Sequence, residues 1–289
     1  MKPLQLVTLS GGLGNQMFQY AFLLHLRHKG GRVFPYFGKI RQYGEHNGYE
    51  LERVFGIRLS PSEQAMDRVL SLPVAGQLVR HVLFPFKYRE RSLCDYDANA
   101  ALARRHAATR FTGYWQSERF FADVADEVRR VFRFDLTRLN EKSRRLAQFL
   151  ADTPSTVSLH VRRGDYFFPD GSPTFLAAAM RPDYYDAAID FLVAATGNPV
   201  RAFVFTDDAD WCRAHFPADF TVVDWNRGRD SWQDMCLMSL CRHHVVANSS
   251  FSWWAAWLDN RPGSRVVAPA CWKVGCECPD STPLSWKRL

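Results

Sequence analysis

From about residue 155 to 269 the chain alternates short apolar runs, polar turns and helical stretches, and few folds accept that pattern. Val157–Val161, Val200–Thr206, Thr221–Val223, Val245–Ala247 and Val266–Pro269 each read as a strand. Helical spacing or start signals mark Arg181 to about Ala195, Trp211–Phe216, Trp232 to about Arg242, and Trp253–Leu258. Ser231 followed by Asp234 is a capping-box pattern for the third of these. The alternation predicts a parallel sheet flanked by helices. Ligands of such sheets bind beyond the C-terminal ends of the strands. Three polar clusters stand at such ends: Arg162-Arg163-Gly164-Asp165, Asp207-Asp208, and Asn248-Ser249-Ser250-Phe251-Ser252.

The first half opens on a strand, Leu4–Leu9, that runs into Ser10-Gly11-Gly12-Leu13-Gly14-Asn15-Gln16. Glycines there permit backbone conformations closed to other residues and a close approach by a ligand. They also suit tight packing of a turn on a helix. Met17 to Lys29 has helical spacing and ends at Gly30-Gly31. The motif is neither a dinucleotide fingerprint nor a P-loop, since the glycine spacing and the lysine differ. Ala151-Asp152-Thr153-Pro154-Ser155 breaks the helical run from Leu139 to Leu150. We therefore expect an α/β protein with domains at 1–153 and 154–289.

The chemistry of the strand-end clusters is anionic recognition. Arg162 and Arg163 form a positive fork after a buried strand, suited to phosphate oxygens or to surface carboxylates. Ser249, Ser250 and Ser252 lie at a helix start, where backbone amides donate to phosphate. Asp207 and Asp208 fit a metal, a base or ribose, or a helix cap. Cys271, Cys276 and Cys278 lack zinc-site spacing. Tyr114, Trp115 and Gln116 fit a sugar or a core. Arg80 to Arg91 mixes basic and aromatic side chains, and reads either as a lipid-facing patch or as an irregular, half-buried connection. Arg41, Glu45, His46 and Asn47 are candidates to face an acceptor.

The formal charge of +7 admits nucleic acid, anionic lipid or a phosphorylated ligand. No nucleic-acid recognition module accompanies it. Seven scattered cysteines argue against a disulfide scaffold and for a reducing compartment. No apolar run is long enough to span a membrane, and Met1–Leu9 is too short for a secretory signal. A cytoplasmic location, with peripheral contact at the inner membrane, is the expectation.

The chain resembles bacterial α-1,2-fucosyltransferases, glycosyltransferase family 11. The resemblance is carried by Gly11-Gly12-Leu13-Gly14-Asn15-Gln16-Met17-Phe18-Gln19-Tyr20-Ala21, His160-Val161-Arg162-Arg163-Gly164-Asp165-Tyr166, Phe205-Thr206-Asp207-Asp208, and Asn248-Ser249-Ser250-Phe251-Ser252-Trp253-Trp254-Ala255. It implies a GT-B-like α/β architecture, two Rossmann-like domains facing a central cleft. The C-terminal domain would hold the donor, GDP-β-L-fucose, and the N-terminal one mostly the acceptor. Fucose would pass with inversion to the 2-hydroxyl of a terminal galactose, in a cell-surface glycan of O-antigen type, with neither cofactor nor metal. The acceptor would be an oligosaccharide, in some cases lipid-linked. Arg162 would lead in binding the diphosphate, with Arg163 in support and His160 lining the nucleotide pocket. Asp207 or Asp208 would lie near guanosine, and Ser249 to Ser252 near the phosphates. Gly12, Gly14, Asn15 and Gln16 would line the fucose and acceptor side; Asp165, from its place after the arginines, fits either orienting them or accepting from a ligand hydroxyl. Asn15 and Gln16 cannot deprotonate a hydroxyl at neutral pH. Either a carboxylate elsewhere does so, or fucose departs first as an oxocarbenium-like species. A sugar-binding protein without catalysis, or a transferase using another sugar nucleotide or linkage, is the alternative reading.

Overall fold

The computed structural model describes residues 4–38, 40, 47–90, 96–97, 108–168, 170, 172–177, 183–274 and 280–289. Arg41, Glu45, His46, the helix start at Arg181-Pro182, and the cysteines at 276 and 278 lie outside the described residues. The chain divides into two compact units, Met1–Arg133 and Phe134–Leu289.

The first unit runs β1 (Leu4–Thr8), α1 (Leu13–His28), β2 (Arg32–Tyr36), α2 (Glu50–Phe55), α3 (Pro61–Leu70), α4 (Ala75–Leu83), β3 (Phe86–Arg89), β4 (Ala108–Thr112) and α5 (Ala125–Val131). Its four strands form a parallel sheet in the order β2-β1-β4-β3. The strand β1, paired on both sides, is buried from Gln5 to Thr8, so the polar Gln5 and Thr8 are enclosed along with Leu6 and Val7. Helix α1 buries most of its residues, and its Phe22 ring stacks on Trp115 at 4.2 Å. It begins at Leu13, four residues earlier than its apolar spacing predicts, so Gly14, Asn15 and Gln16 are its first turn. Gly11, at φ 76°, makes the reversal from strand into helix. The stretch from Arg80 is neither irregular nor wholly half-buried, because it closes one helix and forms an edge strand.

The second unit contains α6 (Glu141–Asp152), β5 (Thr156–Val161), α7 (Tyr184–Thr196), β6 (Arg201–Thr206), α8 (Ala209–His215), β7 (Thr221–Val223), α9 (Trp232–Leu240), β8 (His243–Val245), α10 (Ser250–Leu258), β9 (Val266–Ala268) and β10 (Lys287–Arg288). Helix α6 packs on α9. The unit therefore begins ahead of α6, at Phe134, rather than at the helix-breaking stretch near residue 153. All six strands are parallel, in the order β10-β9-β8-β5-β6-β7. Read outward from β5, this is the Rossmann order, with the switch point between β5 and β8. Every residue of β5 is buried. The core joins Val157, Leu159 and Val161 to Ala188 and Leu192 of α7 and Val204 of β6. Helix α7 stops at Gly197, φ 68°, a left-handed C-cap.

Two local readings are corrected. The helix expected to run to about Arg242 ends at Leu240, and His243 and His244 form β8 with Val245. The His244 ring bridges Ser158 Oγ and Asp259 Oδ2, both at 2.9 Å. Ser158 and His244 are too buried for this serine–histidine–aspartate set to meet a substrate, so it ties α10's exit to the sheet. The expected capping box at Ser231 does not form either. The Ser231 side chain makes no capping bond. Asp234 turns inward and accepts from Asn226 Nδ2 at 2.7 Å. Asn226 Oδ1 in turn accepts from Asn140 Nδ2 at 2.8 Å and Ser143 Oγ at 3.1 Å. Within this network burial pushes the Asp234 carboxyl up to about 7, against the hydrogen bond from Asn226.

A carboxyl raised in the folded state holds its proton between about pH 4 and pH 7 while the unfolded chain has lost it. Its contribution to stability is present below that window and disappears as pH rises through it. Asp234→Asn is expected to remove this dependence and to exceed the wild type in stability at pH 8 by on the order of 2 to 4 kcal/mol. Urea unfolding of both proteins at pH 5 and pH 8 measures it.

Candidate active site

The site in the second unit is built by strand register. Val161 lies opposite Thr206, so the residues that follow β5 and β6 leave the sheet side by side. Arg162 and Arg163 thus meet Asp207 and Asp208. Arg162 Nη1 donates to Asp207 Oδ2 at 2.8 Å, and Arg163 Nε donates to Asp208 Oδ2 at 3.0 Å. The backbone amide of Arg163 donates to Asp207 Oδ1 at 2.8 Å. Gly164 gives this carboxylate room, since a Cβ there would stand 2.8 Å from Asp207 Oδ2.

The two arginines differ in what holds them. The Arg163 guanidinium sits 4.3 Å from the Phe167 ring centroid and 4.1 Å from that of Trp211. Two aromatic faces and a carboxylate fix it as a strut. Arg162 is the more open of the two, with 34% of its side chain exposed against 24% for Arg163. It is the better placed of the two to meet an anionic ligand. Asp208 also caps α8, accepting from Trp211 N at 3.1 Å. Both aspartates are engaged by arginine, and among the described residues no group of three or more His, Cys, Asp and Glu is arranged to hold a metal.

On the other side of β5, β8 pairs Val245 with Leu159, so its continuation reaches α10 beside the arginine turn. Ser249 is the N-cap, its Oγ accepting from Phe251 N, and Ser249 and Ser250 are half-buried. Ser252 is buried and shares a 2.9 Å hydrogen bond with His160 Nδ1. Burial, with the Arg162 charge beside it, lowers the His160 imidazole to about 4. The ring is neutral at pH 7 and acts as a hydrogen-bonding wall rather than a cation. Its edge faces Phe251, at a centroid distance of 5.9 Å. Asn248 is a brace. Its Nδ2 donates to the carbonyls of Leu176 and Trp272, and its own carbonyl accepts from Tyr166 Oη at 2.8 Å. Asp165 lies in the short turn Gly164–Tyr166, and its side chain is outside what the structure describes.

The sequence-predicted residues of the first unit gather at the C-terminal edge of its own sheet. Gly12 is the N-cap of α1 and makes no side-chain cap. Gln16 is fully buried. Its Nε2 donates to the carbonyls of Gly11 and Gly48, each at 2.8 Å, and its Oε1 accepts from Glu50 N at 2.9 Å. It holds loops together and has no free edge for a ligand. Asn15 is only half-buried, and its Oδ1 accepts from Gln116 Nε2 at 2.8 Å. That bond turns the Asn15 amide nitrogen toward Gly11, where a Cβ would clash with it at 2.7 Å. Trp115 is core, fully buried at φ 59°. Glu90, just past β3, accepts the amides of Tyr114 at 2.6 Å and Trp115 at 3.0 Å and so holds that turn. Sequence reasoning missed Glu90 and the Asn226–Asp234 network. For Glu90, its position directly beyond β3 was the available signal.

The fold and this site define a class of enzyme with a Rossmann-type unit and an arginine fork at the sheet's switch point. The chain belongs to glycosyl transferase family 11, whose profile matches residues 90–274, and it is a glycosyltransferase. It is 29% identical over 294 residues to an alpha-1,2-colitosyltransferase of Escherichia coli, covering 97% of each chain. It is also 29% identical over 306 residues to the Escherichia coli O-antigen biosynthesis glycosyltransferase WbnK, covering 97% of this chain and 99% of the relative. Homo sapiens galactoside alpha-(1,2)-fucosyltransferase 1 is 27% identical over 260 residues, 86% of this chain and 64% of that one. Among solved structures, the NodZ alpha-1,6-fucosyltransferase soaked with GDP-fucose aligns with a TM-score of 0.45 at 15% identity, covering 89% of this chain and 93% of that one.

The unequal anchoring of the arginines has a measurable consequence. Arg163→Ala is expected to lower stability by about 1 to 3 kcal/mol through lost aromatic and carboxylate contacts. Arg162→Ala, which removes a partly exposed ion pair, is expected to cost less than about 1 kcal/mol. Thermal unfolding of the two variants side by side checks the order.

Proposed function

We propose that the enzyme transfers L-fucose from GDP-β-L-fucose to the 2-hydroxyl of a terminal galactose, forming an α-1,2 linkage in a cell-surface glycan. The observation that carries this reading is Arg162, a partly exposed guanidinium just past the C-terminal end of β5, the strand that borders the switch point of a Rossmann sheet and whose neighbour β8 leads into a serine-rich helix start. A nucleoside diphosphate is the ligand this chemistry suits, and the family's relatives named for fucosyl, colitosyl and O-antigen transfer support a GDP-linked deoxysugar.

In this mechanism the bond between fucose C1 and the β-phosphate oxygen breaks, and its electron pair leaves with GDP. Arg162 and the amides at the start of α10 offset the charge that grows on that phosphate. Galactose O2 attacks C1 from the opposite face, which inverts β to α. Its proton leaves late, once C1–O2 bonding has made the oxygen acidic enough to give it up to solvent water. Neutral His160, fixed by Ser252, supplies a polar wall without adding charge. Asn15, held by Gln116, is assigned to hydrogen bonding on the acceptor side rather than to proton abstraction. The arginine fork supplies the positive charge that a divalent metal supplies in other transferases, and the proposal is a metal-independent reaction.

The test is a GDP-release assay with GDP-fucose and a panel of galactose-ended disaccharides, followed by linkage analysis of the product. Turnover giving an α-1,2 product, with the rate held within about twofold in EDTA, is the expected result. Turnover only with a different activated sugar, such as activated colitose, would reassign the donor, and a rate abolished by EDTA and restored by manganese would overturn the metal-free reading.

A further inference from the structure

The segment from Arg68 to Arg89 carries a surface for which the transfer chemistry has no use. Among the described residues, more than half of the large apolar side chains that face solvent lie between residues 69 and 86. Val74, Leu78 and Val82 stand about one turn apart along α4 and are 73%, 63% and 76% exposed. Leu72 before the helix and Phe86 after it are each about half exposed, at 50% and 48%.

This orientation is imposed by the opposite face of the helix. Gly76 lies against α3, where a Cβ would stand 2.5 Å from the Leu70 carbonyl oxygen. Val79 packs on the cluster of Leu6, Phe34, Leu70 and Phe84. Arg80 donates to the Leu70 carbonyl and, at 2.8 Å, to the Tyr36 hydroxyl. With these three residues pinned, the helical period must turn Val74, Leu78 and Val82 outward.

The charge around the stripe has one sign. Between residues 68 and 89 the exposed ionisable side chains are Arg68, His81, Lys87 and Arg89. The acids that flank this segment in sequence are both engaged: Asp67 is buried and accepts the Phe37 amide at 3.1 Å, and Glu90 accepts the amides of Tyr114 and Trp115. A protein interface of this size favours aromatic anchors and disfavours lysine. Here the centre is aliphatic and the rim is basic, which matches the boundary between acyl chains and anionic head groups. Among the described residues no helix is long and apolar enough to cross a membrane, so any such contact is made from one side.

We propose that α4 and its flanks dock the protein on bilayers rich in anionic lipid. Val74, Leu78 and Val82 enter the head-group boundary, while Arg68, Lys87 and Arg89 meet the lipid phosphates. The inference is independent of which sugar the enzyme transfers.

The experiment is flotation of the full-length protein with vesicles of phosphatidylglycerol and phosphatidylethanolamine, against vesicles of phosphatidylcholine alone, at low and high salt. The wild type is expected to float with the anionic vesicles at least tenfold more strongly, and to be released by salt. L78E/V82E, at exposed positions, is expected to lose binding at least tenfold with an unchanged melting temperature. K87E/R89E, which leaves the apolar stripe intact, is expected to lose the anionic preference. Failure to float on anionic vesicles, equal partition to neutral ones, or flotation of L78E/V82E at the wild-type level would each overturn the proposal. So would a wild-type dimer in gel filtration that L78E/V82E splits without any vesicle binding, since the stripe would then belong to a second copy of the chain.

Discussion

Two adjacent guanidinium groups at the end of a buried strand repel each other unless something separates and orients them, and the second unit is arranged around that requirement. The solution is strand register. Because Val161 pairs with Thr206, the arginine pair and the aspartate pair emerge next to each other, and each guanidinium takes one carboxylate. A slip of one residue between β5 and β6 would turn the slipped strand's side chains to the opposite face and break both ion pairs at once. Gly164 completes the arrangement, since any side chain there would press on Asp207.

From that constraint the rest of the candidate site follows. Once Arg163 is locked between Phe167 and Trp211, Arg162 is the member of the pair left partly open at the switch point. The Arg162 charge and deep burial keep His160 neutral, and the neutral ring can then share a hydrogen bond with Ser252 at the start of α10. The site therefore leaves one guanidinium partly open, ion-paired to Asp207, with a neutral imidazole and serine hydroxyl nearby. That is the arrangement expected where charge develops on a leaving phosphate and water must not screen it.

The strands β5 and β6 and the polar groups at their ends were legible in the sequence, because Val157, Leu159 and Val161 alternate with polar residues and Ala202 to Phe205 run apolar before each strand meets charged residues, whereas β8 lies two residues earlier than the apolar run Val245–Ala247 suggests. The two-unit α/β composition followed from the same alternation. What was not legible depends on partners far away in the chain. Gln16 and Asn15 look alike as polar residues after glycines. Only Gly48, Glu50 and Gln116, distant in sequence, make the first a buried brace and leave the second half-exposed. Asp207 and Asp208 were open to metal, base or capping roles until register set them against the arginines. Ser231 and Asp234 carry a local capping pattern that Asn226 overrides from the end of β7. In helix α4 Leu78, Val79, Val82 and Leu83 have helical spacing, but nothing in the sequence tells which of them face solvent; the structure turns Leu78 and Val82 outward and packs Val79 on the core.

The central claim is that Arg162 recognises the diphosphate of the donor while Arg163 holds the turn. Calorimetric titration of GDP and of GMP into the wild type and Arg162→Ala tests it most directly, because the two ligands differ only in the β-phosphate. The account expects Arg162→Ala to weaken GDP by about tenfold to a hundredfold while changing GMP by much less, so that the wild-type preference for GDP over GMP collapses. Equal loss for both ligands, or an unchanged preference, would contradict it.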